Sequence, residues 1–279
     1  MTSDRIHRAT AIDGAEIVGR VHGSGPPIVF VPGAFQDGEN VWDPLLPHVT
    51  DHHTVIAMST RGRGLSGDHD DHTSDRLVDD VVAMAESVGE PVGLFGWSLG
   101  GALSLSAATR TPAIAAVAAH EPPVLDVLTE EIGERISGAV AQAADAAQAG
   151  RLPDAVRVFY DVVTNVDEFA DAEASGLFDA LAPVAPVQLR ELELALTADG
   201  PTLTDPAVLT QVTVPVLLSQ GTWSNPEPWF YDGVRHIAEH VQDARVQVLP
   251  DAGHFAPRSR PDAVAAELVG FFEETLRAA

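Results

Sequence analysis

The chain has 279 residues, of which 45% are hydrophobic, so it is long enough to form one large domain or two small ones with a full core. Its 41 acidic and 16 basic residues give a formal net charge of −25, and this negative field argues against nucleic acids and anionic membranes as partners. The chain contains no Cys and no Lys, which excludes disulfides, thiolate metal sites, a Cys nucleophile and Schiff-base chemistry.

The first segment, MTSDRIHRATAIDG, is polar. No apolar run in the chain approaches the roughly 18 residues that are needed to cross a bilayer. We therefore expect a soluble, cytoplasmic protein that does not associate with membranes. Residues 11–22 alternate between apolar and polar side chains, which predicts an antiparallel strand at the edge of a sheet.

Six short apolar segments predict strands that are buried on both faces. Helical patterns separate them, and continuous apolar strands with intervening helices are typical of a mostly parallel sheet with helices on both faces. The helical patterns of the core cover residues 74–88, 98–110 and 261–276. In chain order the predicted strand segments are residues 28–33, 54–60, 91–98, 113–121, 215–221 and 244–251.

A long region after the fourth apolar segment contains no predicted strand. A helical block inserted at this point predicts a lid over the carboxyl edge of the sheet, where ligands bind in open α/β folds. We therefore predict a core domain of residues 1–123 and 208–279, and a helical lid (cap) of residues 124–207. The helical stretches of this lid are residues 130–149, 153–163, 168–181 and 187–197.

The sequence GWSLG at residues 96–100 is a G-x-S-x-G motif between a predicted buried strand and an Ala-rich helix. This motif forms a sharp, strained turn that lifts the Ser hydroxyl above the sheet, and small residues two positions away on either side let the strand and the helix approach. We therefore predict that Ser98 is a nucleophile. An ordinary strand–helix turn is the alternative.

With this motif the chain resembles the α/β-hydrolase family over nearly its whole length. The sequences RGRGLS (61–66), VPGAF (31–35) and DAGHFAP (251–257) resemble the family's R-G-x-G-x-S turn, its oxyanion loop and its catalytic-histidine loop. Pro32 departs from the usual His, and Ser59 from a common Asp. The resemblance implies an α/β-hydrolase fold, and the Ser nucleophile excludes the dehalogenases and epoxide hydrolases of this fold, which need Asp at that position.

A Ser hydroxyl needs a general base to become nucleophilic at neutral pH. His254 follows the last predicted strand and completes the chain order Ser…acid…His of this fold, so we predict that it is the base. The developing oxyanion needs two backbone donors. We expect one to be the amide of Leu99, and the resemblance implies the amide of Ala34 as the other.

The acid that orients the histidine is missing from its usual position. Most members of the family place an Asp in the loop after the strand at residues 215–221, where this chain has Ser224. Glu227 and Asp232 are near in sequence, but Asp232 is expected in the following helix. Asp251 is three residues from the histidine, and we expect it to shape its own loop.

Glu121 offers a different acid, because it ends an otherwise apolar strand and a buried carboxylate needs a partner. We predict that it is the triad acid; the alternatives are a cap at the lid entrance or a pair with an Arg. The fungal zearalenone lactone hydrolases resemble this arrangement, since their His-Glu-x-Pro segment is matched by His120, Glu121 and Pro123. Their lid supplies a Trp and a neighbouring Tyr, whereas residues 130–204 contain no Trp and one Tyr, Tyr160.

These residues together predict a serine hydrolase without metal or cofactor that cleaves a small, apolar carboxylic ester or lactone, as a monomer or a homodimer. The resemblance implies a macrocyclic lactone such as zearalenone. Candidate substrate contacts are Phe35, Tyr160 and Trp223. The H-x-x-E-H spacing at residues 236–240 has no further ligand to make a zinc site. Two alternatives stay open: a carbon–carbon bond hydrolase of ring-fission products, and a ligand-binding or receptor protein on a hydrolase scaffold.

Overall fold

The computed structural model of the chain describes residues 5–224 and 228–277. Its centre is an eight-stranded sheet with the strand order β1-β2-β4-β3-β5-β6-β7-β8. The strands are β1 (Arg5–Thr10), β2 (Glu16–Gly23), β3 (Pro27–Val31), β4 (Thr54–Ser59), β5 (Val92–Trp97), β6 (Ile114–His120), β7 (Val216–Gly221) and β8 (Ala244–Leu249).

The prediction of a mostly parallel sheet is confirmed. β3 to β8 pair in parallel, whereas β2 pairs antiparallel with both β1 and β4. The prediction of an antiparallel strand within residues 11–22 is confirmed by β2, but its predicted position at the edge was wrong, because β2 lies between two neighbours and β1 forms the edge. The sequence of β1, RIHRAT, gives little apolar signal, and its Ile6 is 40% exposed.

Helices cover both faces of this sheet. Two 3₁₀ helices, Leu125–Val127 and Ala182–Val184, accompany them. The α-helices are α1 (Leu46–Val49), α2 (Ser74–Ser87), α3 (Leu99–Ala107), α4 (Glu130–Gln148), α5 (Leu152–Val163), α6 (Val166–Ala174), α7 (Leu177–Leu181), α8 (Ala185–Thr197), α9 (Pro206–Leu209), α10 (Trp229–His240), α11 (Ala256–Ser259) and α12 (Pro261–Thr275). None of these described helices is long and apolar enough to cross a membrane.

Along each central strand, successive side chains pack alternately into one or the other of two separate hydrophobic cores. In β3, for example, Ile28 and Phe30 belong to the cluster that includes α1 and α12, whereas Val29 and Val31 belong to the cluster that includes α2, α3 and α10. This alternation follows from the two-residue repeat of a strand. Burial of both faces explains why these strands are apolar throughout.

The residues between β6 and β7 form helices α4 to α9 and no strand. The single helix predicted over residues 168–181 is instead the pair α6 and α7, because Gly176 between them is left-handed, with φ 71°. Aromatic contacts join these helices to the loops at the sheet edge: the ring centroids of Phe35 and Phe159 are 4.8 Å apart, and those of Tyr160 and Phe255 are 5.0 Å apart. The division of the chain into a core and a lid stays a prediction.

Candidate active site

Ser98 lies in a strained turn between β5 and α3. Its backbone is at φ 54° and ψ −122°, a conformation that side-chain-bearing residues rarely adopt. The turn requires close approach of the helix to β3, since a Cβ added at Gly100 would lie 2.1 Å from the carbonyl oxygen of Val31. The amide of Ser98 donates to the carbonyl of His120 at 2.9 Å. The half-buried Ser98 side chain therefore sits at the carboxyl edge of the sheet.

His254 lies in the loop between β8 and α11, and it is 2% exposed. Its ring stacks on Phe230, with centroids 4.6 Å apart and planes 21° apart. The indole nitrogen of Trp97 donates to the carbonyl of His254 at 2.8 Å. Because Trp97 directly precedes Ser98, this bond ties the histidine loop to the turn of the predicted nucleophile.

Glu121 follows β6 with φ 45° and is fully buried. Its Oε2 lies 2.9 Å from Nδ1 of His254, and Oε1 accepts from the amide of Gly221 at 2.8 Å and from the hydroxyl of Ser224. The structure therefore brings the predicted acid and base into contact. Ser224, which occupies the usual position of the acid, instead donates a hydrogen bond to Glu121.

The environment of Glu121 favours its ionised form. Burial by itself raises the pKa of this carboxyl, but the hydrogen bond from His254, the charges around it and the amide of Gly221 hold its pKa below the ordinary value. A carboxylate can only accept, so Nδ1 of His254 carries a proton and Nε2 is free to accept one. This is the tautomer that a general base requires.

His120 joins the end of β6 to the histidine loop from the other side. It is fully buried, with Nδ1 3.0 Å from the hydroxyl of Ser219 and Nε2 3.1 Å from the carbonyl of Gly253. Because a carbonyl only accepts, Nε2 is the donor, and the Ser219 hydroxyl donates to Nδ1. Burial lowers the pKa of His120, which favours the neutral ring that these two bonds need. Sequence reasoning used His120 only as part of a motif.

The loop after β3 lies directly against the predicted nucleophile. A Cβ added at Gly33 would be 3.2 Å from Cβ of Ser98. Among the residues that the structure describes, none accepts a hydrogen bond from the amides of Ala34 and Leu99, whereas the amide of Phe35 donates to Gln188 at 2.9 Å. Ala34 and Leu99 therefore present two unoccupied backbone donors near Ser98.

The helical block contacts this loop through its polar groups. The hydroxyl of Tyr160 in α5 donates to the carbonyl of Ala34 at 2.8 Å and lies 3.3 Å from Nε2 of Gln36. Gln188 in α8 accepts from the amide of Phe35. Sequence reasoning missed Gln188, and its signal was weak: Gln188 and Glu191 are polar residues one turn apart on a helix that also carries Leu and Val. Their partners depend on how α8 packs.

The three candidate substrate contacts have different surroundings. Phe35 is fully buried against Phe159, and the hydroxyl of Tyr160 is engaged by Ala34 and Gln36. Trp223 is 51% exposed, and its amide donates to the carbonyl of Ala252 at 2.8 Å. Their contact with a substrate stays a prediction.

The other carboxylates considered near the histidine lie elsewhere or outside the described residues. Asp232 is in α10, as predicted, and pairs with Arg235 at 2.7 Å. Asp251 is exposed and has φ 52° in its own loop, where its amide donates to Thr222. Glu227 lies outside the described residues. Within residues 5–224 and 228–277, no cluster of three or more His, Asp or Glu side chains is arranged to hold a metal ion.

The chain is similar to proteins of one family. A model of the alpha/beta hydrolase family matches residues 28–267. Pyrrolizixenacetamide deacetylase from Xenorhabdus hominickii is 33% identical over 94 residues, which are 33% of this chain and only 35% of that protein. An alpha/beta hydrolase from Sphaerobacter thermophilus is 28% identical with a TM-score of 0.73 over 95% of this chain and 100% of that chain. Esterase RhEst1 from a Rhodococcus species shares the fold, with 22% identity and a TM-score of 0.76 over 97% of this chain and 99% of that chain.

Proposed function

Since the chain belongs to the α/β-hydrolase family, we propose that it is a serine hydrolase that cleaves carboxylic esters or lactones without a cofactor. The observation that carries this proposal is the 2.9 Å contact between Oε2 of Glu121 and Nδ1 of His254, fully buried at the edge where Ser98 occupies its strained turn. A buried carboxylate–imidazole pair at the same edge of the sheet as a Ser hydroxyl supports a nucleophile activated by a general base.

In the proposed reaction, Nε2 of His254 accepts the proton of the Ser98 hydroxyl as Oγ attacks the carbonyl carbon. The tetrahedral intermediate then collapses, and His254 gives the proton to the leaving alkoxide, which departs as the alcohol or, in a lactone, as the freed hydroxyl of the chain. Water adds to the acyl-enzyme by the same route and releases the acid. Glu121 remains ionised and stabilises the imidazolium of His254 in both halves.

The amides of Ala34 and Leu99 are the proposed donors to the oxyanion. Both flank Ser98, and neither has another acceptor among the described residues. Preorganised donors of this kind stabilise charge that develops in the transition state, and loss of one costs about 3 kcal/mol in comparable sites.

For the substrate we propose an apolar acyl group, with zearalenone as the specific macrocyclic lactone. The rings of Phe35 and Tyr160 are buried and both pack against Phe159, which is partly exposed, and this aromatic cluster supports an apolar acyl site. The likeness of the His120–Pro123 segment to the lactone hydrolases supports the position of the acid. The name of the deacetylase relative adds an N-acetyl amide to the compounds worth testing.

Turnover of a substrate panel tests this proposal. The panel contains aryl esters of increasing acyl length, zearalenone, an N-acetyl amide and a vinylogous diketone of the ring-fission type. We expect hydrolysis of esters or lactones, with a burst of alcohol where acylation is faster than deacylation, and complete loss in Ser98→Ala. Cleavage of the diketone alone would identify a carbon–carbon bond hydrolase. Binding without turnover of any compound would identify a binding protein.

A further inference from the structure

Glu168 is a buried carboxyl group that the helical block brings against the loop of His254. It is the third residue of α6, after the N-cap Asn165, whose side chain accepts from the amides of Asp167 and Glu168. The spacing Asn-x-x-Glu is typical of a capping box, in which the Glu side chain turns back to the start of its own helix. Here the side chain is instead directed at the histidine loop.

One oxygen of Glu168 holds the backbone on both sides of His254. Oε1 accepts from the amide of Gly253 at 3.2 Å and from the amide of Phe255 at 3.0 Å. It also lies 3.3 Å from the hydroxyl of Ser259, which is a possible third donor. The two amides flank the histidine directly, so the position of this oxygen fixes the backbone that carries the ring.

The other carboxylate oxygen of Glu168 is Oε2, and its surroundings differ from those of Oε1. Within the described part of the chain no group forms a hydrogen bond with Oε2, although the residue is only 6% exposed. This oxygen packs against Gly253, where an added Cβ would lie 2.5 Å away from it. A buried, unpaired carboxylate oxygen costs free energy. A purely structural acceptor for two amides would need only one oxygen, which the neutral amide of a Gln supplies.

The charges around Glu168 come mainly from one side. Burial raises the pKa of Glu168 and the carboxylate of Glu121 raises it further, while the hydrogen bonds to Oε1 lower it, and the resulting pKa is about 7. From the helices packed against α6, Arg157 of α5 and Asp179 of α7 face the exposed side, where Arg157 pairs with Glu173 at 2.7 Å and with Asp179 at 3.5 Å. The titratable groups on the buried side are Glu121, the His254 that it contacts, and His120, whose Nε2 lies 3.1 Å from the carbonyl of Gly253.

We propose that Glu168 is a positioning residue for His254: its ionised carboxylate holds the histidine loop through two backbone amides and favours the positive charge that the ring acquires in the reaction. This inference rests on the proposed function, because it assumes that His254 accepts a proton. Charge-assisted hydrogen bonds are stronger than neutral ones, so ionisation of Glu168 tightens its hold on the loop. The hydrogen bonds of Glu168 go to the backbone on either side of His254, so it acts through the loop.

The test compares Glu168→Gln, Glu168→Met and wild type by the rate at which a fluorophosphonate labels Ser98 between pH 6 and pH 9. Glu168→Gln keeps an acceptor for the two amides but cannot ionise. Glu168→Met has a similar size and provides no acceptor. Glu173→Gln is the matched control, because it removes an acidic group from the exposed side of the same helix. Thermal unfolding establishes that each variant is folded at the assay temperature.

We expect Glu168→Gln to label like wild type near pH 6 and about tenfold more slowly near pH 9, which corresponds to the loss of one charge-assisted hydrogen bond. Glu168→Met is expected to label at least about tenfold more slowly at every pH, because the loop is no longer held in position. Glu173→Gln is expected to follow wild type throughout. A constant ratio of Glu168→Gln to wild type across this range, or wild-type labelling of folded Glu168→Met, would overturn the proposal.

A second readout does not depend on catalysis. The amide proton shifts of Gly253 and Phe255, followed by NMR, are expected to show a titration step near pH 7 in wild type that is absent in Glu168→Gln. If these shifts do not titrate in wild type, the proposal is wrong even where labelling differs. If they titrate but wild type is not labelled at Ser98, the proposed function fails, and the positioning role fails with it, while the contact itself stands.

Discussion

Oε2 of Glu121 lies 2.9 Å from Nδ1 of His254, although 133 residues separate them in the chain. The sheet order explains the contact: Glu121 ends β6, His254 follows β8, and β7 lies between these two strands. The loop after β7 therefore reaches the same point, and its Ser224 donates to the other oxygen of Glu121. The carboxylate that follows β6 and the hydroxyl of the loop after β7 thus meet beside His254, and we propose that together they serve in place of a single Asp in that loop.

Ser224→Ala tests whether this hydroxyl supports Glu121. The substitution removes one of the donors to Glu121 and leaves the amide of Gly221, so we expect kcat/KM for a good ester to fall about tenfold. Hydrogen bonds to the ionised form of a carboxyl lower its pKa, so the loss of the Ser224 donor should raise the pKa of Glu121. Ser175→Ala, at the end of α6, is the control. Wild-type kcat/KM in folded Ser224→Ala would contradict the prediction.

Gln188→Leu tests whether α8 holds the oxyanion loop. Oε1 of Gln188 accepts from the amide of Phe35, which has φ 58°, and from Arg63 at 2.8 Å. Without this acceptor the strained loop is free to relax, and the amide of Ala34 moves from its position. We expect kcat to fall about tenfold with little change in KM, because an oxyanion donor acts in the transition state.

Two further variants make the Gln188 prediction specific. Gln188→Glu keeps an acceptor for Phe35 and Arg63 and is expected to retain most of the activity. Gln142→Leu alters a Gln of α4 that has no place in the proposed site, and it should behave like wild type. A Gln188→Leu enzyme with normal kcat, or with a change confined to KM, would show that α8 does not position the oxyanion loop.

We also expect Glu168→Gln to change how the free energy of unfolding depends on pH. The pKa of Glu168 is about 7 in the folded protein against 4.5 as the ordinary value, so the folded state binds more protons than the unfolded state between these values. The contribution of the Glu168 carboxyl to the free energy of unfolding of wild type is therefore complete below about pH 4.5 and is lost as pH rises through about 7. We expect Glu168→Gln to gain on the order of 3 kcal/mol relative to wild type between about pH 5 and about pH 9.

Urea unfolding at these two pH values measures the change. The comparison is the difference in unfolding free energy between Glu168→Gln and wild type at high pH, minus the same difference at low pH. Glu173→Gln, on the exposed side of α6, should show no such gain. Equal differences at both pH values would mean that Glu168 ionises normally in the folded protein. A gain in stability with a loss in rate is the pattern expected where a buried charge serves function.

Local patterns explain which parts of the fold and site could be predicted. Three features depend on residues that are adjacent in sequence: the apolar strands, the turn of Ser98 and the loop of His254. Local sequence patterns therefore predict them. The edge strand β1 has no such signal, since its Ile6 is 40% exposed and, among the strands that the structure describes, β2 alone pairs with it. Its formation depends on the backbone ladder with β2 and on contact with α2.

The polar groups that support the site depend on long-range packing instead. The position of Glu121 at the end of an apolar strand made it a candidate acid, but nothing in the sequence indicates that Ser224 donates to it. Glu168 and Gln188 contact loops that lie 85 and 153 residues away in the chain. The Asn-x-x-Glu spacing at Glu168 even indicates an ordinary helix cap. Their roles follow only from how α6 and α8 pack against the sheet edge.

The rate at which a fluorophosphonate labels Ser98 tests the role of Glu121 most directly. The rate is compared in wild type, Glu121→Gln and Glu227→Gln, and mass spectrometry locates the labelled residue. The test needs no knowledge of the substrate, and Glu227→Gln tests the carboxylate that is nearest in sequence to Ser224. We expect labelling to slow by roughly a thousandfold or more in folded Glu121→Gln and to stay unchanged in Glu227→Gln. Wild-type labelling of Glu121→Gln would contradict this expectation and remove Glu121 from the mechanism.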